Sequence, residues 1–251
     1  MKLFLIILAT AGFALNSQAQ QSYIVKGKIE YEKVVNSLKV LDEMMTGENN
    51  VFADAFRKTM PKTSSTYWDM YFNNDKSLYK PGREVVVTQK APDWINGPAS
   101  DNIVFNDLSR QTSISQKTVF EGTYLIQDSL RNLNWKITND TRTIAGLECR
   151  KATAIMMDSV FVVAFFTEQI LCTSGPEGFN GLPGMILGIA IPRLHTTWYA
   201  TKLELIEVKD TDIAAPKKGK VSTNSQLQQQ LKNLIKDAGS RGHRMMWQVT
   251  I

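Results

Sequence analysis

Between Ser64 and Asp210 the chain is a succession of strand-sized runs divided by turn signals, with no helical period among them. The runs are Ser65 to Phe72, Glu84 to Thr88, Asn102 to Phe105, Gln111 to Phe120, Gly122 to Asp128, Trp135 to Asn139, Leu147 to Met156, Val160 to Thr167, Met185 to Ile191 and Thr196 to Val208. Asn73-Asn74-Asp75, Pro81-Gly82, Asn96-Gly97-Pro98, Asn139-Asp140 and Met157-Asp158-Ser159 read as the turns between them. Strands so spaced imply an antiparallel meander, which must close on itself or be covered on its apolar face. The expected fold is therefore mainly β: a strongly curved sheet or partly open barrel covered by one or two short helices, with an amphipathic helix at the C-terminal end.

The flanks supply the rest. Tyr23 to Glu32 alternates apolar and polar residues, as a half-exposed strand does. Val34 to Thr59 changes period, with Leu38, Leu41, Met44, Met45, Phe52, Ala55 and Phe56 at spacings near three and four, interrupted at Gly47-Glu48-Asn49-Asn50. That predicts one or two short helices ending before Pro61, whose Met and Phe residues are core rather than ligand. Gln226 to Ala238 places Leu227, Leu231, Leu234 and Ile235 on one face, with Ser225 as cap and Gly239 as stop.

The first residues read as a cleavable export signal. Met1-Lys2 precedes the apolar run Leu3 to Leu15, and small residues stand at Ser17 and Ala19 before Gln20. The run falls short of the roughly 20 apolar residues that span a bilayer. The division expected is residues 1–19 signal peptide, 20–212 antiparallel β domain, and 213–251 basic linker with C-terminal helix and tail, the mature chain being soluble and periplasmic or secreted. Without Lys2 the chain holds 28 basic residues against 24 acidic. Seven of the basic ones lie between Pro216 and Arg244, against Asp237 alone. Such a segment reads as a solvated, partly disordered tail, or as one that touches anionic lipid or an acidic partner. Nucleic acid is excluded as a partner by export and by the lack of a basic stripe interleaved with aromatics.

Cys149 and Cys172 are the chain's two cysteines. In an oxidising compartment they are expected to pair, closing a loop of 22 residues, worth on the order of 3 kcal/mol. Two buried thiols are the alternative. The two histidines, His195 and His243, have no further ligand at metal spacing. His-Glu-x-x-His, Gly-x-Ser-x-Gly, phosphate-loop and calcium-loop patterns are missing. No metal or cofactor is implied, and catalysis is not the first expectation.

The segment Phe165-Phe166-Thr167-Glu168-Gln169-Ile170, then Gly175-Pro176, Phe179 and Gly181-Leu182-Pro183-Gly184-Met185-Ile186-Leu187, resembles the GLPGLI family of exported bacterial proteins, with Met185 in place of a leucine. Ile144-Ala145-Gly146-Leu147-Glu148-Cys149-Arg150-Lys151-Ala152 is similar to the family's lead-in, with Leu147 in place of an aromatic. The resemblance implies a β-rich envelope protein of a diderm bacterium, found beside outer-membrane transport systems. It supplies no catalytic residues, and Cys172 stands where the family more often has proline. On the residues alone, Pro183 and Gly184 predict a type II turn leading into a buried strand. Gly181, Leu182, Pro183 and Gly184 are thereby structural, or else a binding loop. Two functions follow. The first is a non-catalytic envelope module that binds a hydrophobic or peptidic ligand or an outer-membrane transport protein. The second is an exported hydrolase with its site around residues 167–184, Glu168 as general acid or base and His195 assisting, which requires the two side chains to meet within about 4 Å.

Overall fold

The computed structural model describes residues 23–45, 51–86, 89–157, 159–236 and 239–251, so the export signal and its cleavage point lie outside it. The strands are β1 (Gly27–Val35), β2 (Ser64–Phe72), β3 (Lys76–Pro81), β4 (Ile103–Asp107), β5 (Thr112–Val119), β6 (Gly122–Ser129), β7 (Lys136–Ile144), β8 (Leu147–Met156), β9 (Val160–Thr167), β10 (Met185–Ile191), β11 (Thr196–Glu204) and β12 (Lys220–Ser222). They form one sheet in the order β12-β6-β5-β4-β3-β2-β1-β11-β10-β9-β8-β7. All pairings are antiparallel except β12 on β6. The sheet is open, ending at β12 and β7. It is also strongly curved, because Ile126 of β6 and Met156 of β8, far apart in strand order, wall the same cavity.

Alternation sets which face each strand buries. In β1, Gly27, Ile29, Tyr31, Lys33 and Val35 point inward. Strand β10 is apolar at nearly every position, and six of its seven residues are buried. The main core gathers Ile29, Tyr31, Trp68, Phe72, Phe166, Phe179, Ile189 and Trp198. Helices α1 (Ser37–Met44) and α2 (Val51–Thr59) cover a second cluster of Val35, Val40, Leu41 and Ile95. Helices α3 (Asn224–Ile235) and α4 (Gly239–Thr250) cover a third, where Leu227, Leu231 and Val249 meet Val119 and Ile126. No helix among the described residues is long and apolar enough to cross a membrane.

Several expectations change. Residues 84–86 of the run Glu84 to Thr88 form no strand, and Val86 is fully exposed. The neighbouring strand is β3, reached by the tight turn in which Asn73 Oδ1 accepts from the Asp75 and Lys76 amides. Asn139-Asp140 is no turn but a register shift inside β7, where Asp140 pairs with Lys151 of β8 at 2.8 Å. Helix α3 is capped by Thr223 rather than Ser225: Thr223 Oγ1 accepts from the Gln226 amide and Gln226 Oε1 from the Thr223 amide.

The basic tail is not a solvated extension. Helix α4 is docked, with Arg244, Val249 and Ile251 all buried. Arg244 donates to the Leu194 carbonyl at 2.8 Å and pairs with Glu43. Nor do Cys149 and Cys172 form a disulfide: both are buried free thiols. Cys149 Sγ lies 3.6 Å from the Leu147 carbonyl on its own strand, whereas Cys172 Sγ faces the Lys76 carbonyl of β3 at 3.9 Å. Burial pushes the thiols up to about 11 and about 12, so both stay protonated at neutral pH.

Candidate functional site: a charged cavity on the concave face

The segment between β9 and β10, which carries the Gly-Leu-Pro-Gly motif, runs into the curve of the sheet, and residues 174–180 are buried throughout. A buried loop must find partners for its polar groups, and this one does. Ser174 and Asn180 form a bridge, and the Ile186 amide donates to the Ser174 carbonyl. Ser174 Oγ and Ser77 Oγ of β3 are 2.7 Å apart, and Trp135 Nε1 donates to the Asn180 carbonyl at 2.9 Å.

At the inner tip of this loop stands Glu177, in the left-handed region at φ 53°, a conformation that costs a non-glycine residue about 1–3 kcal/mol. Its carboxylate accepts from Asn102 Nδ2 at 2.9 Å and lies 3.5 Å from Lys33 Nζ of β1. Lys33 in turn sits between the rings of Trp68 and Trp198.

Beside Glu177 is a cavity of about 420 Å³, within the size range of small-molecule sites. Its walls are mixed. Val104, Ile126, Leu133 and Met156 are apolar, while Lys117 and Arg131 bring two cations. Lys117 Nζ donates to the Val249 carbonyl at 2.7 Å. Arg131 Nη2 donates to the carbonyls of Thr250 and Ile251 at 3.1 and 2.6 Å, and its guanidinium lies over Phe179. These contacts satisfy carbonyls at the end of α4. Arg131 Nη1 is buried with no hydrogen-bond partner. Burial, reinforced by Arg131, drives the Lys117 ammonium down to about 7 against the pull of Glu177. Burial likewise lowers the Arg131 guanidinium to about 10. The arrangement can hold a partly apolar molecule in a positively biased, low-dielectric space.

The residues singled out in the sequence fall elsewhere. Glu168 is half exposed and pairs with Arg150 at 3.0 Å. His195 pairs with Glu43 of α1 at 2.9 Å, so the two have separate partners and form no acid–base pair. Leu182 is buried in the main core, whereas Gly181 and Pro183 are exposed. The Gly184 amide donates to the Leu182 carbonyl at 2.8 Å, making a three-residue turn around Pro183 rather than the expected type II turn. Among the described residues no cluster of three or more His, Cys, Asp or Glu could hold a metal.

Lys33, Lys117, Arg131 and Glu177 were not legible as a site. The available signal was parity: Lys33 shares the inward face of β1 with Ile29 and Tyr31, and Lys117 shares that of β5 with Val119. A charge at an inward position is costly unless it is used or paired.

A family model described as a protein of unknown function (Porph_ging) matches residues 156–188, from the end of β8 through the buried loop into β10. No curated protein matches the chain. Two solved structures of PNGF-II, in space groups P21 and C2, are similar in fold, with TM-scores of 0.50 and 0.51 at 13% and 14% identity. They cover 79% and 89% of this chain but 32% and 33% of their own, so the chain spans about a third of the PNGF-II length. At these identities the likeness concerns the fold, a β-rich sheet that this chain shares, and residues 156–188 mark its resemblance to a family whose function is unknown.

Proposed function

We propose that this chain is a non-catalytic binding module of the bacterial cell envelope, exported by its N-terminal signal, which holds a partly apolar small ligand on the concave face of its sheet. The observation that carries the reading is the cavity of about 420 Å³ between β5, β6, β8 and the end of α4, with aliphatic side chains and two buried cations in one wall. A cavity of this size beside a buried charged group is a natural ligand site. Resemblance to the GLPGLI family supports the envelope location and suggests delivery to, or service of, an outer-membrane transport protein. The hydrolase alternative has no geometric support, since Glu168 and His195 are engaged by Arg150 and Glu43.

The test is native mass spectrometry of the mature protein purified without detergent from its own envelope. A small molecule should be retained by the wild type and lost from Ser113→Trp, in which an indole fills the cavity from β5. Identical spectra for the two proteins, both folded, would refute the reading.

A further inference from the structure

We infer that the cavity takes an amphiphile bearing a single carboxylate, whose head lies against Arg131 and Lys117 and whose aliphatic part lies along Val104, Ile126 and Met156. The inference rests on the reading that the cavity holds a ligand, and adds the ligand's chemical class. Three observations support it. The first is the orphaned donor: Arg131 Nη1 is buried, lacks a partner, and belongs to a residue in the cavity wall. A buried donor left without an acceptor is unfavourable, and a carboxylate is the acceptor that a guanidinium binds best. Lys117 is only 3% exposed, and its one hydrogen bond in the structure goes to a neutral carbonyl, although an ammonium has three donors.

The second observation is the charge balance. The carboxylates in the wall are already engaged elsewhere. Glu177 accepts from Asn102 and pairs with Lys33. Asp128 accepts from the backbone and side-chain amides of Asn224 and from the Ser129 amide. Setting Lys33, Lys117 and Arg131 against Asp128 and Glu177 leaves one positive charge, which one monoanionic head neutralises and a dianion overshoots. The third is the character of the walls. Among the described residues lining the cavity none is aromatic, so a sugar or a base finds no ring to stack on, whereas a flexible alkyl chain needs only the aliphatic side chains.

The competing role for Lys117 and Arg131 is structural, as caps on the last carbonyls of α4, and calorimetric titration of the mature protein separates the two. The probes are dodecanoic acid, dodecanol and dodecyl phosphate, each below its aggregation concentration. Dodecanoic acid should bind one to one, about tenfold or more tighter than dodecanol. Arg131→Met should reduce the acid to the affinity of the alcohol while leaving the alcohol's own affinity unchanged. Lys117→Met should do the same in part, and it serves in place of the arginine variant if that protein fails to fold. Equal binding of acid and alcohol, both abolished by Ser113→Trp, would overturn the assignment of the head and leave the cavity reading intact. Tighter binding of the phosphate than of the acid would overturn the single-charge argument. Binding of none of the three would overturn both readings and leave the two cations as helix caps.

Discussion

A β-carbon placed on Gly184 would stand 2.0 Å from the Thr167 carbonyl oxygen and 2.7 Å from its carbon. The neighbouring atoms are backbone of β9, so they cannot turn away as a side chain would, and Gly184 also has φ +143°. Gly184→Val should therefore fail to accumulate as folded protein, read by circular dichroism and yield. Leu182→Ala, at a core position only 2% exposed, should fold but lose about 2–5 kcal/mol in urea unfolding; a Leu182→Ala protein as stable as wild type would place that side chain outside the core. Lys117 makes the opposite kind of prediction. Its ammonium is lowered by burial from 10.5 to about 7, so above pH 7 the native state sheds a proton that the unfolded chain keeps until about 10.5. Stability then rises with pH across that window, and the burden of the buried charge is fully present below pH 7. Lys117→Met removes the burden at the loss of one bond to Val249. It should be more stable than wild type by on the order of 1–3 kcal/mol at pH 6, with the difference shrinking toward pH 10. A constant difference across that range would show that Lys117 is not held in a lowered state.

The elements with strong local signals were legible, and those made by tertiary context were not. Strands β8, β9 and β10 follow the apolar runs that predict them, because their pattern is continuous and their ends carry turn residues. Strand β3 was missed because Lys76-Ser77-Leu78-Tyr79-Lys80-Pro81 offers little alternation and ends in proline; its pairing with both β2 and β4 makes it a strand. Helix α4 was missed because Gly239 and Gly242 suppress the local signal. Its contacts fix it instead: Arg193 lies over Trp247, Arg244 reaches Leu194 and Glu43, and Val249 joins Leu227 and Leu231. The cavity was illegible for the same reason, since its floor belongs to β5 and β6 and its other walls to β8 and to the end of α4. If tertiary contacts hold α4, Arg244→Ala should act locally. Removing this guanidinium, 5% exposed, should cost α4 about 1.5–3 kcal/mol of protection, seen as faster hydrogen exchange at residues 241–249. Amides of β1, β10 and β11 should be unchanged; equal acceleration there would mean that α4 and the sheet open as one unit.

At the scale of the molecule, β1 joins a sheet half built from β2 to β6 to one built from β7 to β11, by pairing with β2 on one side and β11 on the other. No covalent link reinforces that join, as Cys149 and Cys172 are unbridged. Reductant should therefore leave the melting temperature unchanged, and both thiols should label once the protein is unfolded without it; protection that persists in denaturant would establish a disulfide instead. What ties the halves across the concave face is the reach of Glu177, from the loop between β9 and β10, to Lys33 of β1 and Asn102 before β4. Breaking a buried pair from one side strands the other charge, a loss of about 3–5 kcal/mol, whereas removing both charges is often close to neutral. Glu177→Gln, which keeps the shape and can still accept from Asn102, should accordingly destabilise the whole domain and leave unfolding cooperative, because Lys33 remains between Trp68 and Trp198 with no anion at hand. Lys33→Met in that background should restore most of the loss. A coupling below about 0.5 kcal/mol in the double-mutant cycle would mean that the loop is held by its hydrogen bonds to β3 and by Phe179 alone, and that Glu177 endures its left-handed backbone for the sake of the neighbouring cavity rather than for the join between the halves.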